Sequence, residues 1–243
     1  MISVCVATYN GEKYIKQQID SILSQLSPFD EIIISDDGST DKTIDILLSY
    51  HDNRIKVLSH HFSGKKECVG DVVSANFENA LKIAQGDYIF LSDQDDIWIE
   101  GKVKKMVMAL QKAEVAVSNA WILTEDNINN STKLLYDGRN PLKNYFLKKG
   151  KYYGCCMAFR AKALSYVLPF PQPLPLHDTW LGLLPEIVGG AAFIDEPLIY
   201  YRLHNSNVSS QSHNSFIFKI KYRLRIIFQI FIRAIKYKLS HKE

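Results

Sequence analysis

The chain is short of the features that usually assign a protein quickly. Its 243 residues hold only four cysteines, Cys5, Cys68, Cys155 and Cys156, none of them in a CxxC pair. That argues against a disulfide scaffold or a cysteine zinc site and predicts buried or free thiols in a reducing compartment. His51, His60, His61 and His213 have neither zinc-type spacing nor an HExxH partner, so they are read as surface or packing residues. No apolar stretch reaches the roughly 20 residues needed to cross a bilayer. The first apolar run stops at Ala7 with no basic segment before it, so no signal peptide is expected. Low-complexity tracts and internal repeats are also missing. The expected location is the cytoplasm, peripheral at the inner face of the cell membrane.

The composition is ordinary for a globular domain, with 47% hydrophobic and 23% charged residues. The net charge of +3 is unevenly spread: residues 215–243 hold eight Lys/Arg and one acid, a balance of +7, which leaves −4 for residues 1–214. A mildly acidic body argues against nucleic acid as a partner and puts any anion-seeking surface in the tail.

The first half alternates strand and helix signals. Ile2–Ala7, Glu31–Ser35, Arg54–Leu58 and Tyr88–Leu91 are short apolar strands, and a fifth is expected at 115–119. Helical spacing runs through 12–26, 72–84 and about 101–112, with a further helix capped by Thr40 or Asp41. Strands that are apolar throughout, alternating with helices, predict an α/β fold: a mostly parallel sheet covered by helices on both faces. Ligands then bind beyond the carboxyl ends of the strands, where each acidic cluster falls. The second half is less regular. Residues 124–140 read as a polar connection and Tyr153–Phe159 as a strand, which would point Cys155 and Cys156 to opposite faces. A helix opens at His177-Asp178-Thr179-Trp180, and residues 192–202 are late strand or hairpin material.

Asp93-Gln94-Asp95-Asp96 carries the clearest chemistry. Three carboxylates within four residues repel one another unless a cation or hydrogen-bond donors compensate. Hard divalent cations take such oxygens together with substrate phosphates; a solvated acidic turn is the alternative. Asp36-Asp37 could accept hydrogen bonds from a nucleobase or ribose, or could shape a turn. Tyr9 could stack on a base, or could pack.

Taken together, ATYNGE, DDGSTD and SDQDDIW at three successive strand ends resemble the family-2 glycosyltransferases of the GT-A fold. GCCMAFR, HDTWL and YYRLHNSNVS resemble the bacterial rhamnosyltransferase-like branch, so the likeness spans residues 1–210. The resemblance implies a nucleotide-sugar-binding half at 1–122, an acceptor-binding and catalytic-base half at 123–212, and a basic helical tail at 213–243. It implies that Ala7, Thr8, Tyr9, Glu12, Asp36, Asp37, Asp93 and Gln94 bind the nucleotide sugar. Within that set Asp37 contacts the base and Asp36 supports the turn. Asp95, with Asp93 and His204, would hold Mg2+ or Mn2+, and Asp96 would cap a helix. Asp178 would be the catalytic base, preceded by His177 where the family usually has an acid; a helix-capping role is the alternative.

The implied reaction is inverting transfer of a sugar, rhamnose from dTDP-rhamnose or else a UDP-linked sugar, to a hydroxyl of a glycan or lipid-linked glycan in surface polysaccharide synthesis. A sugar nucleotidyltransferase would carry a glycine-rich basic loop after the first strand, whereas TYNGEKY has one glycine. A non-catalytic binding module would be expected to have lost Asp95 or Asp178. The tail mixes Lys/Arg with Phe, Ile and Tyr without one clean charged face, which suits either an interfacial helix on anionic lipid or a helix packed on protein.

Overall fold

The structure, a computed structural model, describes residues 1–64, 66–124, 127–133, 152–204 and 216–241. Among them nine strands form one sheet: β1 Ile2–Thr8, β2 Glu31–Asp36, β3 Ile55–Ser59, β4 Tyr88–Ser92, β5 Ile97–Trp98, β6 Val115–Thr124, β7 Asn127–Lys133, β8 Met157–Arg160 and β9 Ala191–Leu203. The order is β3-β2-β1-β4-β8-β6-β9-β5, with β7 paired to β6. Pairing directions make β1, β2, β3, β4, β6 and β9 run one way, and β5, β7 and β8 the other.

Among the described residues seven α-helices accompany the sheet: α1 Ile15–Leu23, α2 Thr43–Leu48, α3 Val69–Leu81, α4 Lys102–Leu110, α5 Leu164–Val167, α6 His177–Gly189 and α7 Phe216–Ser240. The chain steps outward from β1 to β2 to β3, then returns through α3 to β4 on the other side of β1. Right-handed crossovers therefore set α3 on the face opposite α1 and α2. The reversal between β1 and β4 opens a crevice at their carboxyl ends, the usual ligand position in such sheets. Val4, Cys5, Ile32, Ile33, Phe90 and Leu91 are fully buried, so these strands are apolar on both faces.

Three sequence expectations change. The polar segment 124–140 contains β7, whose backbone pairs with β6 although its side chains give no apolar pattern; residues 134–140 lie outside the described set. Cys155 and Cys156 fall in a single 3-10 turn, Gly154–Cys156, ahead of β8, so they are not on opposite faces of a strand; their sulfurs are 4.0 Å apart. The late strand material is one strand, β9, parallel to β6 and interrupted by register shifts near Ser118 and Asn119. The NSNVS segment at 205–209 and the tail's residues 213–215 also lie outside the described residues.

Candidate active site

The end of β2 is built around Asp36. It is buried and accepts hydrogen bonds from the backbone N–H of Gly38 (3.1 Å) and Ser39 (2.7 Å) and from the hydroxyls of Ser39 and Thr8 (2.5 and 2.8 Å). Thr8 therefore faces β2 and braces the turn. Gly38, at φ +80°, allows the chain to swing past this carboxylate. Asp37 turns the other way, where its Oδ1 meets His60 Nδ1 at 2.8 Å and accepts from the Phe62 N–H at 3.2 Å. His60, read from sequence as a packing residue, therefore orients Asp37. Its position one residue beyond β3 is the only hint the sequence holds.

The loop after β1 is tied on both sides. Gln94 pairs with the backbone of Tyr9, accepting its N–H at 2.9 Å and donating to its carbonyl at 3.1 Å. Gly11 passes so close that an added Cβ would lie 2.5 Å from the Gln94 amide oxygen. Glu12 is exposed and accepts from the Lys42 N–H (2.9 Å), while its own N–H donates to Asp41 (3.0 Å). Ala7 is half-buried at the end of β1, and Tyr9 is 56% exposed, with its ring free to meet a ligand.

The acidic turn after β4 sends its three carboxyls to different tasks. Asp95 Oδ2 lies 2.7 Å from His204 Nε2, and the His204 ring rests against Tyr14 at 5.0 Å. Arg202, two residues earlier on β9, donates from Nε to the Asp95 carbonyl (2.8 Å) and from Nη2 to Gln17 (2.7 Å), with its guanidinium 4.5 Å from the Tyr14 ring centre. Arg202 was not singled out from sequence, although the period-2 pattern of YYRLH puts it on the same strand face as His204. Asp96 does not cap a helix, because α4 starts only at Lys102. It is buried and pins β9 by accepting the Arg202 backbone N–H at 2.9 Å.

Asp93 is where the turn meets the second half of the chain. Burial, then the Asp95 and Asp178 carboxylates, push its pKa up to about 7. Asp178 thus belongs to the same electrostatic neighbourhood as the acidic turn. It stands in the first turn of α6, one residue after the helix begins, and its Oδ1 takes the Thr179 N–H at 2.6 Å. A helix N-terminus favours the ionised carboxylate. His177 beside it is stacked on Phe77 at 4.3 Å with its Nε2 enclosed, and burial lowers its pKa to about 3.

Ligand atoms of Asp93, Asp96 and Cys155 lie within 4.8 Å of one another, so the described residues include a group able to hold a metal. Cys155 is a poor member of it. Its hydrogen bond to Cys156 and its burial push the thiol well above the ordinary range, and hard cations prefer oxygen. Beneath the cluster sits Lys102, fully buried, donating to the Cys155 carbonyl at 2.9 Å and lying 5.2 Å from the Trp98 ring. A buried lysine in a helical repeat carries no sequence signature. Its cation partly offsets the charge of the acidic turn.

Residues 3–168 match the family model described as Glycosyl transferase family 2. The chain belongs to the family-2 glycosyltransferases. It is 32% identical over 223 residues to the Bacillus subtilis (strain 168) protein TuaG, named as a teichuronic acid biosynthesis glycosyltransferase, with 86% of this chain and 82% of that one covered. It is 30% identical to the dTDP-rhamnosyl transferase RfbG of Shigella flexneri (90% and 77% covered). It is 28% identical to the Escherichia coli enzyme WfgD, named UDP-Glc:alpha-D-GlcNAc-diphosphoundecaprenol beta-1,3-glucosyltransferase (86% and 80%). Among solved structures, S. aureus TarS bound to UDP-GlcNAc superposes with TM-score 0.72 at 19% identity (94% and 66%). The glucosyl-3-phosphoglycerate synthase of Mycobacterium tuberculosis, crystallised with Mn2+, UDP and phosphoglyceric acid, gives 0.59 at 19% (96% and 78%). These structures share the GT-A fold of the transferase.

Proposed function

We propose that this glycosyltransferase moves a sugar, rhamnose from dTDP-rhamnose in the favoured reading, to a hydroxyl of a lipid-linked glycan during bacterial surface polysaccharide synthesis, with inversion at the anomeric carbon. The observation that supports the reading is that Asp93, buried, also feels the Asp95 and Asp178 carboxylates, so the acidic turn and a lone helix-borne carboxylate share one electrostatic neighbourhood. RfbG supports the dTDP-linked donor, while WfgD and TarS support a UDP-linked one as the second reading.

Ala7 and Tyr9 would line the base site, with Asp37 held by His60 to accept from the base. Thr8, Asp36, Glu12 and Gln94 would shape that site, since their side chains are committed to neighbouring strands and loops. Asp95, Asp93 and His204 would hold Mg2+ or Mn2+. Carboxylate oxygens suit both ions, and Asp93, its pKa raised by burial first and then by the like charges of Asp95 and Asp178, would be relieved by a cation. Asp93 clusters with Asp96 and Cys155, while Asp95 is paired with His204. Such an ion neutralises charge on a nucleoside diphosphate leaving group. Asp178 takes the acceptor proton at its carboxylate, a contribution of about 10²–10⁴-fold. One base opposite one leaving group predicts direct displacement. Peripheral contact of the tail, residues 213–243, with the inner membrane face completes the reading.

The test is nucleotide release from a panel of dTDP- and UDP-linked sugars, with and without chelator. Release from dTDP-rhamnose that chelator abolishes and Mg2+ or Mn2+ restores is the expected result. Asp95→Asn should abolish release. Asp178→Asn should lower transfer by about 10²–10⁴-fold while still binding donor. Wild-type protein as inert as Asp95→Asn on every donor would instead identify a binding module.

A further inference from the structure

The transferase chemistry leaves one large surface unused. α7 packs on α5 and α6 through Tyr222, Ile226, Ile230 and Ala234, which recur every four residues and are buried. Arg225, Arg233 and Lys238 fasten it by donating to the carbonyls of Pro173, Pro169 and Ile187. On the opposite side Ile220, Leu224, Phe228, Phe231, Ile235 and Leu239 are all exposed, each by at least 42%. Their spacing of four, four, three, four and four places them in a stripe about 100° wide along the helix. At 25 residues the helix is about 37 Å long. It carries no acidic residue, and in helical projection Lys221 and Lys236 flank one border of the stripe. No helix among the described residues is long and apolar enough to cross a membrane.

We infer that the outward face of α7 lies on an anionic membrane surface. Apolar side chains bordered by cations match acyl chains beneath anionic headgroups. A second copy of the chain matches less well: two α7 stripes face to face would bring lysines of both copies together with no acid on either helix to pair with them. The consequence for the reaction rests on the transferase reading. Arg225 bonds just ahead of α6 and Lys238 near its far end, so the two helices run side by side in one direction, and the membrane contact carries the Asp178 end of α6 with it. A lipid-anchored acceptor is presented at that height.

Sedimentation of the full chain with vesicles tests the docking without any donor, and nucleotide release in solution tests the transferase reading without any vesicle, so either can fail alone. The wild type should bind vesicles of mixed phosphatidylglycerol and phosphatidylcholine, less so as salt rises, and bind phosphatidylcholine alone weakly. Leu224→Glu with Phe228→Glu should lower vesicle binding by about tenfold or more, with melting temperature and nucleotide release unchanged. Lys221→Glu with Lys236→Glu should remove the preference for phosphatidylglycerol. Wild type that sediments with neither vesicle, or apolar-face variants that bind as well as wild type, would overturn the inference. So would a dimer in light scattering that the Leu224→Glu, Phe228→Glu pair splits into monomers.

Discussion

Arg202 ties the acidic turn to β9 and to the start of α1. Its side chain joins the Asp95 carbonyl, Gln17 and the Tyr14 ring, and its backbone N–H is taken by Asp96. Arg202→Met keeps the bulk and the backbone N–H but strands the Asp95 carbonyl and Gln17, and is expected to cost about 2–3 kcal/mol of stability, read from urea midpoints. His177 makes a pH prediction. Burial lowers its pKa to about 3 from 6.5, so between those values the unfolded chain binds a proton that the folded chain does not. Stability from this residue is therefore complete above about pH 6.5 and is lost as pH falls toward 3, by up to about 1.4 kcal/mol per pH unit. His177→Phe should flatten that acid limb when urea midpoints at about pH 7 and about pH 4.5 are compared. At this scale the sequence was least informative. Asp36, Asp93 and Asp95 stand out because carboxylates cluster after apolar runs, whereas Asp178, a lone acid, stands out only through the family resemblance. His60, Lys102 and Arg202 act through partners far along the chain, such as Gln17 at a separation of 185 residues.

At the level of elements, the first half was legible because buried parallel strands are unbroken apolar runs, and β1, β2 and β4 fall within a residue or two of expectation. The signal fades where a strand lacks an unbroken apolar run. β7, in NINNSTK, has no apolar alternation, and β9 passes through Asp195, Glu196 and Pro197, which disguises a 13-residue strand. The placement of α6 depends on a contact that a sequence cannot reveal. A Cβ at Gly70, near the start of α3, would lie 2.1 Å from the Pro175 carbonyl oxygen, three residues before Asp178. Both atoms belong to backbone or nearly so, and neither can swing aside. Gly70→Ala should therefore push the entry to α6 outward, costing about 1–3 kcal/mol. Because Asp178 moves with that entry while Asp37 and Asp95 do not, turnover should fall more than donor affinity, a split that steady-state kinetics would read.

For the whole molecule, α7 is both part of the core and a surface. Deleting residues 216–243 would remove Tyr222, Ile226 and Ile230 from the body and expose what they cover. Each buried side chain of this kind contributes about 1.5–3 kcal/mol, so truncation should lower the melting temperature and promote aggregation, whatever it does to membrane partitioning. Calorimetry of the truncated and full chains would measure this. The same logic governs the opposite end of the site. Asp95 leaves the ribosome early, but its partners on and just beyond β9, Arg202 and His204, come more than a hundred residues later. At ordinary synthesis rates that gap is roughly 5–20 s. For that interval a nascent chain has its first strands, with Gln94 already able to pair with Tyr9, but its acidic turn lacks the partners that β9 brings, so the site stays incomplete until β9 has been made.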